Sequence, residues 1–439
     1  MIYLLSPAGY ASGGPELMHQ LGYKLNLLGY EAYMYYWNKK EDVDPVCDVY
    51  KKYHVPYMER VVGTACDVVV MPEVLAYNIK MFEGMKRVLW WLSVDNANCS
   101  EDDIAYIREC ADIYHLVQSQ YAYEYVRDTL KIREDRIFWL SDYLNSEFFV
   151  TDYDDNCRDD VVLYNPKKGL SKTLELIAES DYRIRWQALK GLSPAGMREV
   201  MRRAKVYIDF GNHPGKDRIP REAAISGCLI VTNRSGSAAN AEDVPILDCY
   251  KFDNSTTTAE ALQVIYDMLD DYSNRRLDYE AYNERTRQEY IEFERDTLRF
   301  FEMICGKASE SCDSQGSYIT CMLDAIEKGI YDEAYRYLVK YRLDGHEETI
   351  VIDVIETVIR IGLEEYNEAQ MCALRGIKKD PHNYELYLYL MQISVETGWL
   401  NHISDYCEKA MIYSKGTADE EFVRSRCYEL LEILKAQTD

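Results

Sequence analysis

The chain has 439 residues, which is too many for one hydrophobic core and predicts about two to four domains. Its formal net charge of −25 argues against nucleic acid as the main partner, because phosphate-rich polymers need a basic surface. No apolar run reaches the roughly 18 residues of a membrane span, and a polybasic membrane patch is excluded by the same charge. The 13 cysteines show no metal-ligand spacing, which predicts reduced thiols, a cytoplasmic location and no bound metal.

The first 143 residues alternate between short apolar runs and segments with helical spacing. This βαβα pattern predicts a doubly wound, Rossmann-like domain over residues 1–143. Its first loop contains Gly13 and Gly14, which either bring backbone amides close to a ligand or only form a tight turn. The loop has neither the dinucleotide fingerprint nor a Walker lysine.

A second alternating series follows an acidic stretch without periodicity. Residues 144–160 form a predicted linker, and residues 161–305 a second Rossmann-like domain that ends in a long helix at 279–304. Apolar runs also predict strands at 183–189 and 246–252. The predicted fold class is α/β, with two tandem doubly wound domains. Because loops at the carboxyl ends of parallel strands bind ligands, we expect a site between the domains.

Two loops of the second domain gather positive charge within this anionic chain. Lys167 and Lys168 follow its first strand, and Lys216 and Arg218 lie in the segment HPGKDRIPRE before a short helix. With Gly215 and the helix start, these cations favour a diphosphate ligand. The alternative interpretation is that they are solvated loop charges.

A Ser- and Gly-containing break, KASESCDSQGS, follows the second domain, and from about residue 317 the pattern is entirely helical, with a period in the mid-thirties. The segment 330–334 is echoed at 365–369, and Gly329, Gly362 and Gly398 are predicted to mark the turns. This pattern predicts a helical repeat region of the tetratricopeptide type over residues 317–439. Such a region binds a protein partner or a second copy, or it is only a structural cap.

Residues 1–305 resemble GT-B fold glycosyltransferases that use nucleotide-sugar donors, in particular the bacterial retaining group that makes polysaccharides. The resemblance rests on GGPELMHQLGYKLNLLGYEAY near the start, on KKG in the second domain and on PREAAISGCLIVTN. The signature of that family has two glutamates with seven residues between them. Glu222 matches the second, whereas Pro214 stands where the first is expected, which leaves the identity of the sugar and the activity open.

The resemblance implies roles for individual residues. Glu222 would hold the donor ribose, and Lys168 the diphosphate together with Asn165 or Lys167. Gly13 and Gly14 would line the acceptor side of the cleft. We regard Asp95, just beyond a first-domain strand, and His213 as the candidate catalytic residues. His115 lies within an apolar strand and is interpreted as a core histidine.

The predicted function is transfer of a sugar from a UDP- or GDP-sugar to a glycan, lipid-linked or protein acceptor, with retention and without a metal or other cofactor. A nucleotide-sugar epimerase of the same fold is less attractive, because the chain has only seven histidines. A catalytically silent binding protein that acts through its repeats is the alternative from another class.

Overall fold

The computed structural model describes residues 1–149, 158–306, 314–399 and 402–438. The chain divides into two compact units, residues 1–307 and 308–439. Residues 150–157 of the predicted linker and most of the predicted break after residue 306 lie outside the described residues. Of the helices in the described ranges, none combines the length and the apolar character needed to cross a bilayer.

The first lobe of the N-terminal unit is built on a parallel sheet of six strands in the order β2-β1-β3-β4-β5-β6. Its strands are mostly buried, as expected for a parallel sheet that is covered on both faces. The strands are β1 (Ile2–Pro7), β2 (Ala32–Trp37), β3 (Val68–Pro72), β4 (Lys86–Trp91), β5 (Ile113–Val117) and β6 (Ile137–Trp139). The helices are α1 (Gly13–Leu27), α2 (Glu101–Glu109) and α3 (Gln120–Glu124).

The second lobe has a five-stranded parallel sheet in the order β11-β10-β9-β7-β8. Its strands are β7 (Asp159–Tyr164), β8 (Arg185–Ala188), β9 (Ala204–Asp209), β10 (Leu229–Asn233) and β11 (Lys251–Phe252). Its helices are α4 (Leu170–Glu179), α5 (Pro194–Arg203), α6 (Arg218–Ile225), α7 (Thr258–Asp270), α8 (Tyr272–Arg275) and α9 (Glu280–Cys305). The predicted fold class, with two Rossmann-like lobes followed by helices, is confirmed.

The long helix α9 returns from the second lobe to the first. Its Phe293 lies against Trp90 of β4, with ring centroids 6.2 Å apart, and its Phe301 lies 6.1 Å from Tyr30. Glu294 of α9 forms a buried ion pair of 3.0 Å with Lys24 of α1. The second half of α9 is therefore part of the packing of the first lobe.

The predicted strand at 246–252 is wrong for most of its length. Residues Asp248–Tyr250 form a 3-10 turn, in which the amide of Tyr250 donates to the carbonyl of Leu247 at 3.0 Å. Only Lys251 and Phe252 pair with β10. Within this turn Tyr250 is buried, whereas Leu247 and Cys249 are exposed, and an apolar run alone does not distinguish such a turn from a strand.

The interpretation of His115 as a core residue is confirmed. Its ring is fully buried, and the indole nitrogen of Trp91 donates to its Nδ1 at 3.1 Å. Burial, together with the nearby charge of Arg136, lowers the pKa of His115 to about 3. The imidazole is therefore neutral and structural.

The C-terminal unit is helical throughout its described residues. Consecutive helices pack against each other, and the small buried side chains of Ala334 and Ala369 allow their close approach. The helices are α10 (Gln315–Glu327), α11 (Tyr331–Leu343), α12 (Ile350–Gly362), α13 (Tyr366–Lys379), α14 (Tyr384–Thr397), α15 (Ile403–Tyr413) and α16 (Glu420–Thr438). The tetratricopeptide character of this region stays a prediction.

One of the three predicted turn glycines has a different role. Gly329 and Gly398 adopt positive φ angles of 72° and 73° after helices, as a left-handed cap requires. Gly362 does not, because the left-handed residue of that turn is Glu364, with φ 59°. At Gly362 a Cβ atom would come within 2.3 Å of the ring of Tyr331, so close packing requires this glycine.

A buried network of charges joins three helices of the C-terminal unit. Glu356 of α12 is fully buried and accepts hydrogen bonds from Arg342 at 3.1 Å, Arg360 at 3.0 Å and Arg375 at 2.7 Å. Asp353, also on α12, pairs with Arg375 at 2.6 Å. Burial raises the pKa of Glu356, but the arginines outweigh this effect and hold it well below its usual value.

We expect Glu356→Gln to lower the free energy of unfolding of the helical unit by about 3–5 kcal/mol, because it leaves buried arginines without their shared carboxylate. Because the pKa of Glu356 is lower in the folded state than in the unfolded state, its ionised form stabilises the fold fully above the unfolded-state pKa. This stabilisation is lost as the pH falls through the folded-state pKa. The difference between wild type and variant should therefore shrink below a pH of about 4. Urea unfolding at several pH values measures it.

Glu347→Gln is the matched control for this measurement, since Glu347 is exposed on the same unit. Its effect should stay within about 0.5 kcal/mol. Equal unfolding midpoints for the two variants would show that the buried network contributes nothing to stability.

Candidate functional site

A cavity of about 480 Å³ lies between the two lobes of the N-terminal unit and is called the interlobe cleft below. First-lobe residues at or just beyond the carboxyl ends of β1, β3, β4 and β5 line it, including Pro7, Pro72, Leu92 and Gln118. The second lobe contributes residues 215–218, which lead from β9 into α6. The cleft predicted between the domains is present, at the edge where parallel sheets bind ligands.

Gly13 and Gly14 begin α1 and line the interlobe cleft. A Cβ atom on Gly13 would lie 3.0 Å from the side chain of Arg218, and one on Gly14 would lie 3.8 Å from Leu92. The absence of a side chain at Gly13 therefore keeps Arg218 close to the start of α1. Gly13 therefore serves contact between the lobes, and both glycines line the cleft.

Gly215 lies very close to the backbone of the first lobe. A Cβ atom there would lie 1.8 Å from the carbonyl oxygen of Leu92, a distance that no side chain tolerates. The preceding residue, Pro214, accepts a hydrogen bond of 2.9 Å from the amide of Val94. On the other side, the hydroxyl of Ser237 donates to the carbonyl of Gly215 at 2.5 Å. The close approach that the sequence suggested for a ligand is made here to the first lobe.

Lys216 belongs to a buried charge cluster of four residues at the back of the cleft. Lys216 lies 2.7 Å from Glu289 of α9, and Arg221 pairs with both Glu289, at 2.6 Å, and Asp142. Asp142 follows β6. Burial raises the pKa of Asp142, but Arg221 and Lys216 lower it by a larger amount, so the pKa lies below its usual value. We call these residues the charge tie. Sequence reasoning found Lys216 but missed Arg221, Asp142 and Glu289, because their pairing joins distant parts of the chain.

Arg218 and Lys168 are also paired, but closer to solvent. Arg218 donates to Glu16 of α1 at 2.6 Å, and the two side chains are 14% and 18% exposed. Lys168 pairs with Asp217, and these side chains are 26% and 21% exposed. Lys168 also donates to the backbone carbonyl of Asn212 at 3.0 Å. These two pairs are called the rim pairs below.

Asn165 and Lys167 occupy the turn between β7 and α4. The side chain of Asn165 is largely buried and accepts a hydrogen bond of 3.0 Å from the amide of Lys167. The backbone carbonyl of Asn165 accepts a hydrogen bond of 3.1 Å from the amide of Lys168. Lys167 is exposed to solvent. Asn165 therefore shapes the turn that places Lys168, and the donor-binding roles of both residues stay predictions.

Glu222 is buried within the first turns of α6, close to Arg218. One carboxylate oxygen lies 3.7 Å from Nε of Arg218. Burial raises the pKa of Glu222, and Arg218 offsets only part of that effect. Glu222 is therefore near the cleft cations, and its predicted contact with a ribose is not tested by this arrangement.

His213 is enclosed within the second lobe. Its Nδ1 lies 2.7 Å from Asp217 and its Nε2 lies 3.7 Å from Asp209, and the ring is only 1% exposed. These three side chains bring their ligand atoms within 4.8 Å of each other, a spacing that suits a metal ion. The oxygen of Asp217 that faces His213 also accepts a hydrogen bond from Lys168. Hydrogen bonding among these side chains therefore accounts for their arrangement as well as a metal ion would. The catalytic role of His213 and the absence of a metal stay predictions.

Asp95 is exposed and joins the lobes. Its carboxylate accepts from the amide of the Asn212 side chain at 2.7 Å and from the hydroxyl of Tyr121 at 2.9 Å. A second interlobe contact lies nearby, where Asp243 accepts from the backbone amides of Gln120 and Tyr121 at 2.7 and 2.9 Å. Asp95 thus helps to hold the lobes together, and its catalytic role stays a prediction.

Glu73 is a cleft residue that sequence reasoning missed. It follows β3 directly, lines the interlobe cleft and is only 2% exposed. Its carboxylate accepts from the backbone amide of Leu92 at 2.8 Å. Burial raises the pKa of Glu73 to about 7, although the amides of Leu92 and Ser93 lower it. A glutamate after an apolar strand carries no local pattern that separates it from any other loop carboxylate.

Comparisons with known proteins place the fold. No protein-family model matches the chain, and no curated protein matches its sequence. Among solved structures, it is similar to HepE of Anabaena in complex with UDP-glucose, with 12% identity, 70% of this chain and 98% of that chain covered, and a TM-score of 0.50.

The chain is likewise similar to sucrose-phosphate synthase of Thermosynechococcus elongatus. The identity is 12%, the coverage is 70% of this chain and 99% of that chain, and the TM-score is 0.50. At such identities the likeness concerns the fold, and it agrees with the two parallel sheets described above. The chain contains the GT-B fold of nucleotide-sugar glycosyltransferases, followed by a helical region.

Proposed function

We propose that the chain is a glycosyltransferase that moves a sugar from a nucleotide-sugar donor to a glycan, lipid-linked or protein acceptor in polysaccharide synthesis. The observation that carries this proposal is the interlobe cleft, which lies at the carboxyl ends of two Rossmann-like sheets and is lined by glycines and by Lys216 and Arg218. HepE, of the same fold, binds UDP and UDP-glucose. A UDP-sugar is therefore the first donor class to test.

The rim pairs provide the charge for the donor diphosphate. Arg218 and Lys168 are partly exposed, so a phosphate is able to compete with their carboxylate partners. After such an exchange Asp217 keeps its contact with His213 and Glu16 keeps its hydrogen bond from Tyr53, and two cations lie beside the phosphates. When the bond to the sugar breaks, the negative charge that develops on the leaving diphosphate is stabilised by the same cations.

The charge tie has a different part in this proposal. Lys216 and Arg221 are almost fully buried and share Asp142 and Glu289, so removing their partners would leave buried charges uncompensated. The charge tie therefore holds the loop 215–221 in place. We assign donor binding to Arg218, Lys168 and Glu222 and assign the positioning of their loop to Arg221 and Lys216.

One observation favours a catalytically silent nucleotide-binding protein as the second candidate. Lys168, Lys216 and Arg218 already have carboxylate partners, and Pro214 replaces a glutamate that the resemblance implies for sugar binding. In that case the cleft binds a nucleotide without turnover, and the helical unit acts on a partner.

A panel of purified donors separates these candidates. We expect release of UDP from at least one of UDP-glucose, UDP-galactose and UDP-N-acetylglucosamine, with GDP-mannose as the comparison for the base. Magnesium and EDTA arms test metal independence, and the anomeric proton signal of the product tests retention. Tight binding of UDP without turnover of any donor would favour the silent protein.

Arg218→Gln should weaken UDP binding about ten- to a hundredfold and leave uridine binding nearly unchanged, because a charge-assisted hydrogen bond to phosphate is worth about 1.5–3 kcal/mol. Isothermal titration with both ligands measures the difference. Glu16→Gln should have the opposite effect and tighten UDP binding, since it removes the carboxylate that competes for Arg218.

The matched control is Arg234→Gln, which removes an arginine of the second lobe that pairs with Asp248 on the surface. It should leave both affinities unchanged. Equal losses for uridine and UDP in Arg218→Gln would contradict a phosphate role for this residue.

Glu222→Ala should weaken binding of both uridine and UDP by about tenfold while the protein stays folded, if Glu222 holds the ribose. A hydrogen bond to a charged group has this magnitude. Titration and thermal unfolding measure the two effects, and Glu199→Ala, at an exposed position of α5, is the control. Unchanged uridine affinity in a folded variant would remove Glu222 from the ribose site.

A further inference from the structure

We propose that Glu73 contacts the acceptor and takes the proton of the attacking hydroxyl, an inference that rests on the proposed glycosyl transfer. Glu73 directly follows the carboxyl end of β3 and is one of the residues that line the first-lobe wall of the interlobe cleft. The loop with Gly215 and Arg218 lines the same cleft from the second lobe. A donor held by the second lobe therefore has Glu73 on the acceptor side.

The other carboxylates that line the cleft are occupied by cations. Among the described residues, Asp142 is held by Arg221 and Lys216, and Asp217 is held by Lys168 and His213. Glu73 instead has the backbone amide of Leu92, at 2.8 Å, as its hydrogen-bond donor. A carboxylate in a strong ion pair is a poor proton acceptor, so Glu73 is the group of this set that is able to take a proton.

The proton affinity of Glu73 suits the task. Burial raises its pKa to about 7, and the opposing effect comes from backbone amides rather than from a cation. The charged groups that share the cleft wall are Asp142, Lys216, Asp217 and Arg218, and the thiol of Cys99 also feels the charge of Glu73. A general base works best when its pKa lies near the working pH.

The proposed step forms one bond, breaks one bond and moves one proton. The acceptor oxygen forms a bond to the anomeric carbon of the donor, and the bond from that carbon to the diphosphate oxygen breaks with its electron pair on the diphosphate. The proton of the hydroxyl moves to the carboxylate of Glu73 and passes later to water. Arg218 and Lys168 accommodate the charge of the nucleoside diphosphate that leaves.

The test measures UDP release from UDP-glucose, with water as the acceptor, between pH 5 and 9, or from whichever donor of the panel is turned over fastest. The wild-type rate should fall on the acidic side with a midpoint near the pKa of Glu73, about 7. Glu73→Gln should lower the rate by about a hundredfold or more and abolish this acidic limb, since general base catalysis contributes roughly 10²–10⁴-fold. UDP affinity should change by less than about twofold.

Two further variants distinguish a catalytic role of Glu73 from a structural one. Glu73→Ala should regain part of its rate with added formate, which a merely structural role would not produce. Glu101→Gln, at an exposed position of α2, should keep the wild-type rate and profile. If the Glu73 variants do not fold, the wild-type profile decides, because a rate without an acidic limb between pH 5 and 9 overturns the proposal.

The outcomes also separate this inference from the proposed function. A wild-type protein without turnover of any donor overturns the glycosyltransferase and, with it, the role of Glu73. An active wild type together with a Glu73→Gln variant that keeps its rate and its acidic limb overturns the role of Glu73 alone.

Discussion

The charge tie is the interaction on which the site depends. Arg221 and Asp142 are each 1% exposed, and with Glu289 and Lys216 they connect the loop after β9, the segment after β6 and helix α9. Burying four charges is costly, and the cost is offset only when each charge faces an opposite one in good geometry. Because two cations face two carboxylates, the cluster is balanced and fixes the second-lobe wall of the cleft against the first lobe.

Under the proposed function, this balance allows an anionic chain to present a site for an anionic ligand. Cations that belong to the charge tie are committed to their buried partners, whereas Arg218 and Lys168 lie at the rim, where their partners retain access to water. Under the proposed function, this difference in exposure determines which charges a ligand is able to recruit. The residues that line the cleft include three carboxylates and two cations, so the cleft contributes little to the net charge of −25.

The sequence predicted what is local and missed what is tertiary. The apolar runs of β1, β9 and β10 and the capping box at Ser100 and Asp103 are signals within a few residues, and the structure contains them. The loop cations were visible for the same reason. Their carboxylate partners were not, because Glu16, for example, lies 202 residues from Arg218 and no spacing rule connects the two.

The corrected positions follow the same logic. Gly362 has the spacing of a turn glycine, but its role is set by the ring of Tyr331, a contact that periodicity does not contain. The 246–252 segment has the composition of a strand, but only its last two residues pair in the sheet. In both cases periodicity alone does not decide between the possible local structures.

Pro214 and Glu73 together suggest how the cleft differs from the pattern that the sequence resembles. At position 214 the chain offers only a carbonyl, and this carbonyl is already used to accept the amide of Val94 across the lobes. A carboxylate is therefore missing on the second-lobe wall at this point.

On the opposite wall Glu73 is held by the amide of Leu92, two residues before Val94, so the same short segment of the first lobe fixes both groups. Two carboxyls of the cleft, Glu73 and Asp142, have their pKa values moved in opposite directions, because burial dominates at Glu73 and the cations outweigh burial at Asp142. Asp142 is therefore committed to the charge tie, whereas the proton affinity of Glu73 is set mainly by burial.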